Sequence, residues 1–76
     1  MAVKVYSTVT CPYCDMVKSY LGQKGVAFTD VNVGVDSNAA REMVQKSGQM
    51  GVPVIDFNGN IIVGFNRPAL DKLIAG

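Results

Sequence analysis

Cys11-Pro12-Tyr13-Cys14 holds both cysteines of the chain and divides two segments of different period. Before it, Val3-Lys4-Val5-Tyr6-Ser7 alternates and carries β-branched residues, the pattern of a strand. After it, Cys14, Val17 and Leu21 recur at helical spacing, with Lys18 and Lys24 on the other side. Two cysteines separated by two residues, just past a strand and opening a helix, form a redox arrangement.

The first turn of a helix has amide N–H groups without intrahelical partners, and the helix dipole adds partial positive charge there. Both stabilise a thiolate at Cys11, so its pKa is expected below that of a free cysteine. Pro12 suits the first helical position, since its φ is already helical and its missing N–H is one that would go unpaired. The helical turn then brings Cys14 under Cys11, within reach of a disulfide. Cys11 is thus expected to be the exposed attacking thiol and Cys14 the buried resolving one.

Three other readings of the pair compete. A structural disulfide across so short a loop stabilises by roughly 2 kcal/mol in the chain-entropy model, less than a longer loop gives. Zinc takes four nitrogen or sulfur ligands, whereas this chain has two cysteines and no histidine. Only a dimer sharing both pairs satisfies it, so no metal is expected on one chain. Two unreactive core cysteines fit poorly with Pro12-Tyr13 between them at a strand–helix junction.

The 76 residues make one expected domain, spanning 1–76, near the size at which a single apolar core suffices. Hydrophobic residues at 49% against 17% charged describe a globule rather than a disordered tail. A net charge of +1 gives no electrostatic reason to expect nucleic acid or membrane as partner. Met1-Ala2-Val3-Lys4 lacks the pattern of a signal peptide, and no apolar run reaches the length of a membrane span. The expected setting is a reducing cytoplasm, where close cysteine pairs are usually catalytic, and the expected state is a monomer.

Along the chain, Val3 to Ser7 is the first strand, and Thr8-Val9-Thr10 feeds the cysteine turn, with Thr10 a candidate cap for the helix. That helix is expected to end near Gln23-Lys24-Gly25, with Gly25 at C′. A strand from about Ala27 to Asn32 follows, bent or frayed where the alternation slips at Phe28–Val31. Strand, helix and strand in this span imply a parallel crossover. Ser37 is the expected cap of a second helix over Asn38 to Lys46, which turns Ala39, Ala40, Met43 and Val44 inward and stops at Ser47-Gly48. Val52 to Phe57 reads as a third strand, and Asn58-Gly59 as a type I′ hairpin turn. Asn60 to Val63 returns antiparallel. Pro68 opens a last helix through Ile74, with Leu70, Leu73 and Ile74 toward the sheet.

With this order, and with Tyr6-Ser7, Cys11 to Cys14 and Gly51-Val52-Pro53 in place, the chain resembles the glutaredoxin family over essentially its whole length. The resemblance implies an α/β thioredoxin fold, a four-stranded mixed sheet (β-α-β-α-β-β-α) flanked by three helices. It implies a dithiol enzyme that reduces protein disulfides and glutathione mixed disulfides through a Cys11–Cys14 disulfide. No cofactor is held tightly, and glutathione is a co-substrate. It further implies a cis bond before Pro53, which presents the Val52 backbone beside Cys11 to pair with an incoming substrate strand. Tyr13 becomes a lid on the bound sulfur substrate, while Val52, Pro53, Gly64, Phe65 and Asn66 make up the glutathione or substrate rim.

The chain departs from that pattern at three places. Thr8 stands where glutathione-binding members carry a basic residue, and Gly51 where a threonine is usual. The Gly-Gly-x-Asp that holds the glutamyl end of glutathione is replaced by Val63-Gly64-Phe65-Asn66. Gly64-Phe65-Asn66-Arg67-Pro68 instead resembles the Gly-Phe-Arg-Pro ending of the glutaredoxin-like hydrogen donors of ribonucleotide reductase, with one residue inserted. Those donors are reduced by a flavoprotein, thioredoxin reductase. Both resemblances share thiolate attack by Cys11 and resolution by Cys14 or glutathione, at an expected potential of about −200 to −230 mV. No histidine is available as a general acid, and Asp15 reads as a complement to the helix dipole. A glutathione-bridged iron–sulfur carrier and a pure binding module around Pro53 and Phe65 are the competing functions.

Overall fold

The computed structural model describes residues 2–75. In chain order they form β1 (Val3–Ser7), α1 (Pro12–Gln23), β2 (Thr29–Asn32), α2 (Ser37–Ser47), β3 (Val54–Phe57), β4 (Asn60–Val63) and α3 (Arg67–Ala75). The sheet runs β2-β1-β3-β4, with β1 parallel to β2, antiparallel to β3, and β3 antiparallel to β4. This is the mixed sheet and helix order that the sequence implies. None of the described helices is long and apolar enough to cross a membrane.

Strand alternation sorts the core into two faces. Val3 and Val5 of β1 join Ile55 and Phe57 of β3 and Ile62 of β4, and pack with Val17, Tyr20 and Leu21 of α1 and Leu70 of α3. Leu73 and Ile74 lean on the same cluster, so α3 presents the face expected of it. Tyr6, one residue out of phase, packs on the other face with Met43 of α2 and Val54.

Element ends are where the structure departs from the sequence reading. β2 begins at Thr29 rather than Ala27. Val26 donates its N–H to the Leu21 carbonyl (2.9 Å), and Gly25 donates to Gly22 (3.1 Å). This paired closure, with Gly25 at φ 72°, holds the chain in the helix terminus past the point where alternation starts. β3 begins at Val54 rather than Val52, after a cis bond between Val52 and Pro53. Proline has no N–H to donate to a ladder.

The caps also shift. Cys11, not Thr10, caps α1, its Sγ accepting the Cys14 N–H at 3.1 Å. Asp36 caps α2 in place of Ser37, its Oδ1 accepting the Ala39 N–H at 3.1 Å, which makes Ser37 the first helical residue. Aspartate and serine are nearly equal caps, so their order in the loop decides. Asn66 Oδ1 accepts the Ala69 N–H at 3.2 Å at the start of α3, which opens at Arg67, one residue before Pro68. The hairpin turn is as expected, with Asn58 at φ 53° and Gly59 at φ 95°.

Candidate active site

The strand register gathers four loops at one pole. Tyr6 lies opposite Val54, Val54 opposite Val63, and Ser7 beside Asn32. The chain therefore leaves β1, β2 and β4, and enters β3, at the same end of the sheet. Hydrogen bonds tie these loops in pairs: Val33 N–H to the Ser7 carbonyl and Gly64 N–H to the Pro53 carbonyl, each 2.9 Å. A side chain added at Gly34 would meet Asn32 Oδ1 first and the Thr8 methyl group next.

Cys11 and Cys14 are joined in a disulfide, with Cα atoms 5.2 Å apart. Cys11 keeps 8% of its surface exposed and Cys14 none. Cys14 is the more buried of the two, as expected, whereas Cys11 is buried rather than exposed. Its sulfur stands at the mouth of α1, where the Cys14 N–H points at it. Pro12 occupies the first turn, and Tyr13 projects into solvent at 62% exposure.

The remaining sequence-selected residues fall into two groups. Pro53 is buried and Val52 half-buried against the Tyr6–Met43–Val54 cluster. Gly64, at φ 79°, is bonded to Pro53 and so belongs with it. Phe65 and Asn66 turn toward α1 and α3 instead. Phe65 meets the Tyr20 ring edge-on at 5.9 Å, Arg67 lies over the same ring at 5.1 Å, and the Tyr20 hydroxyl donates to Asp71. A cleft of about 430 Å³ opens between Asp15, Met16 and Tyr20 on one wall and Phe65 and Arg67 on the other.

Two polar clusters escaped the sequence reading. Ser7, 2% exposed at the end of β1, donates its hydroxyl to Asp30 Oδ1 at 2.7 Å. Lys18 Nζ lies 3.1 Å from Asp30 Oδ2 and 3.9 Å from Asp15 Oδ1. Lys18 is thus not on a free solvent face; its long stem reaches back across the edge of α1. The Ser7 hydroxyl, then Lys18, holds the Asp30 carboxyl below the usual carboxylate range, against the opposing effect of burial. On the other face, Lys46 Nζ meets Asp56 Oδ2 (2.7 Å), Tyr6 Oη (2.9 Å) and Glu42 Oε1 (3.1 Å). Asp56 is the main cause of the raised Lys46 pKa, and Lys46 in turn lowers that of Asp56. The only advance signal was a polar residue, Ser7, at a core-facing strand position. Among the described residues no three His, Cys, Asp or Glu side chains gather as a metal cage.

This geometry, a disulfide-forming pair capping a helix at the same pole as a cis-proline loop, accompanies a match of residues 3–62 to the glutaredoxin family model. The chain belongs to the glutaredoxin family. It is 54% identical over 72 residues to the uncharacterized glutaredoxin-like 8.6 kDa protein in the rubredoxin operon of Clostridium pasteurianum, covering 95% of this chain and 96% of that one. Glutaredoxin 3 of Escherichia coli strain K12 is 41% identical over 81 residues, with 95% of each chain covered. The crystal structure of the glutaredoxin from Archaeoglobus fulgidus superposes with a TM-score of 0.90 at 28% identity, covering all of this chain and 89% of that one. The sheet and its three helices are the thioredoxin fold, and Cys11–Cys14 is the redox pair of a glutaredoxin-like protein.

Proposed function

We propose that this chain is a dithiol thiol–disulfide oxidoreductase acting on disulfides of proteins and mixed disulfides of glutathione. The observation that carries this reading is the Cys11 sulfur at the N-terminus of α1, hydrogen-bonded by the Cys14 amide and bridged to the Cys14 sulfur. In the reduced protein the same amide and the helix dipole favour a Cys11 thiolate. That thiolate attacks one sulfur of the substrate disulfide, forming a mixed disulfide and releasing the other sulfur as a thiolate, which takes a proton from solvent. Cys14 loses its proton and attacks Cys11, expelling the second substrate thiolate. The substrate gains two electrons and two protons, and the protein is left with the Cys11–Cys14 disulfide. Tyr13 serves as a lid on the bound sulfur substrate, and Val52 and Pro53 line the strand-like groove that aligns it.

The reductant that restores the dithiol is glutathione or a flavoprotein reductase. Gly64 N–H is bonded to Pro53, and Asn66 Oδ1 is engaged as a helix cap. Two of the groups the rim would offer to the glutamyl end of glutathione are therefore already bonded within the chain. That supports electron delivery by a thioredoxin-reductase-type flavoprotein over glutathione. Paired assays decide it: faster turnover with glutathione and its reductase than with thioredoxin reductase and NADPH refutes the preference. Cys11→Ser is expected to abolish turnover, whereas Cys14→Ser is expected to trap a mixed disulfide on Cys11, visible by mass as the added substrate. Full activity of Cys11→Ser refutes the enzyme reading itself.

A further inference from the structure

The large apolar side chains most exposed to solvent are unevenly placed. Val9, Tyr13, Met16, Val35 and Met50 lie in or beside the loops of the cysteine pole, and Val63 ends β4 at that pole. The opposite end of the sheet turns through Lys24-Gly25 and Asn58-Gly59, which expose polar side chains and backbone. Scattered surface valines need no explanation, but apolar residues gathered around one feature mark a contact surface. Val9 and Val35 stand out at 83% and 84% exposure.

We propose that Val9 and Val35 form an apolar docking patch for a folded protein that carries the substrate disulfide. Val9 follows β1, and Val35 follows β2. The ends of β1 and β2 are bonded to each other, whereas Gly64 is bonded to Pro53 across β3 and β4. Their loops are tied where the Val33 N–H meets the Ser7 carbonyl at 2.9 Å, two residues before each valine, and Asn32 Oδ1 fixes the second loop by accepting the Gly34 N–H at 2.9 Å. Val9 is two residues from Cys11, so the patch begins within about 7 Å of the reactive residue. Residues 8–10 and 33–36 carry one charged side chain, Asp36. A patch with no cation and one carboxylate has nothing to offer the carboxylates of a tripeptide thiol and repels an anionic lipid surface. Apolar side chains beside an exposed disulfide fit it.

The inference rests on the oxidoreductase reading, and two substrates separate them. Insulin serves as the protein disulfide and bis(2-hydroxyethyl) disulfide as the small one, with dithiothreitol as reductant. The double variant Val9→Ser/Val35→Ser is expected to lose about tenfold in kcat/KM on insulin, through KM, and to stay within twofold of wild type on the small disulfide. Equal loss on both substrates, or none on either, overturns the patch. So does a concentration-dependent dimer of the wild type that the variant abolishes, since a second copy is then the occupant. A wild type inactive on both substrates refutes the oxidoreductase reading, and the patch falls with it.

Discussion

On the α1–α3 side of the sheet, Val5, Val17, Leu21, Ile55 and Leu70 are fully buried in one continuous apolar cluster. On the α2 side the buried cluster is Tyr6, Met43 and Val54, and Lys46 completes it by bonding Tyr6, Asp56 and Glu42. The face that carries the cysteine helix is held by close packing, which responds weakly to pH and salt. The other face is held in good part by charge. The reactive turn is thereby anchored mainly by packing, with the Ser7–Asp30–Lys18 cluster at its edge, while α2 hangs on an ionic network.

Leu70→Ala tests the packed face and is expected to have the largest effect, a loss of about 3 kcal/mol in denaturant unfolding. A loss below about 1 kcal/mol would mean that α3 contributes little to that core. Lys46→Met removes three partners while keeping most of the volume, and is expected to cost about 2 kcal/mol, because the buried Tyr6 hydroxyl and the half-buried Asp56 lose their cation. The two changes lie on opposite faces, so their costs should add within about 0.5 kcal/mol. A larger coupling would show that the sheet transmits strain between faces.

Titration separates packing from charge. Asp56 and Asp30 have folded pKa values below their ordinary 3.8, so their contribution is complete above that value and is lost as pH falls through the lowered ones. Lys46 is raised above its ordinary 10.5, so its contribution is complete below that value and is lost only as pH rises through the higher one. Unfolding free energy is expected to be level between these limits and to fall outside them. In Lys46→Met the acid fall should shrink and the alkaline one largely vanish, whereas Leu70→Ala should lower the whole profile without changing its shape. A parallel profile for Lys46→Met would contradict the ionic account.

The same contrast explains what could be read from the residues alone. β1, the Asn58-Gly59 turn, the faces of α2 and α3 and the cysteine pair follow from local spacing, and each was legible. The start of β2 was not, because the closure of α1 through Val26 competes with strand alternation over the same residues. Nor was the Lys46 network, whose partners Tyr6 and Asp56 lie 40 and 10 residues away and meet only once α2 crosses the sheet. Lys18 was misplaced for a related reason, since its ammonium is drawn inward by Asp30 from β2. The cysteine turn was legible but its cap was not, because a sulfur in place of Thr10 is an unusual acceptor for a helix N-terminus.

The smallest expected effect lies where the cysteine pole meets the packed face, at Asn66. As a cap it should cost about 1 kcal/mol when changed to alanine. Asn66→Asp keeps an acceptor of nearly equal capping quality and adds charge where the α3 dipole favours it, so stability should stay within about 0.5 kcal/mol of wild type. If Asn66 serves the helix alone, the KM for glutathione should be the same in all three proteins once they are fully folded. If it also faces the glutamyl end of glutathione, the aspartate should lower that KM several-fold and the alanine raise it. Because the side-chain oxygen accepts the Ala69 N–H, the first outcome is expected, and an aspartate that lowers the KM would instead return Asn66 to the rim that family resemblance implies.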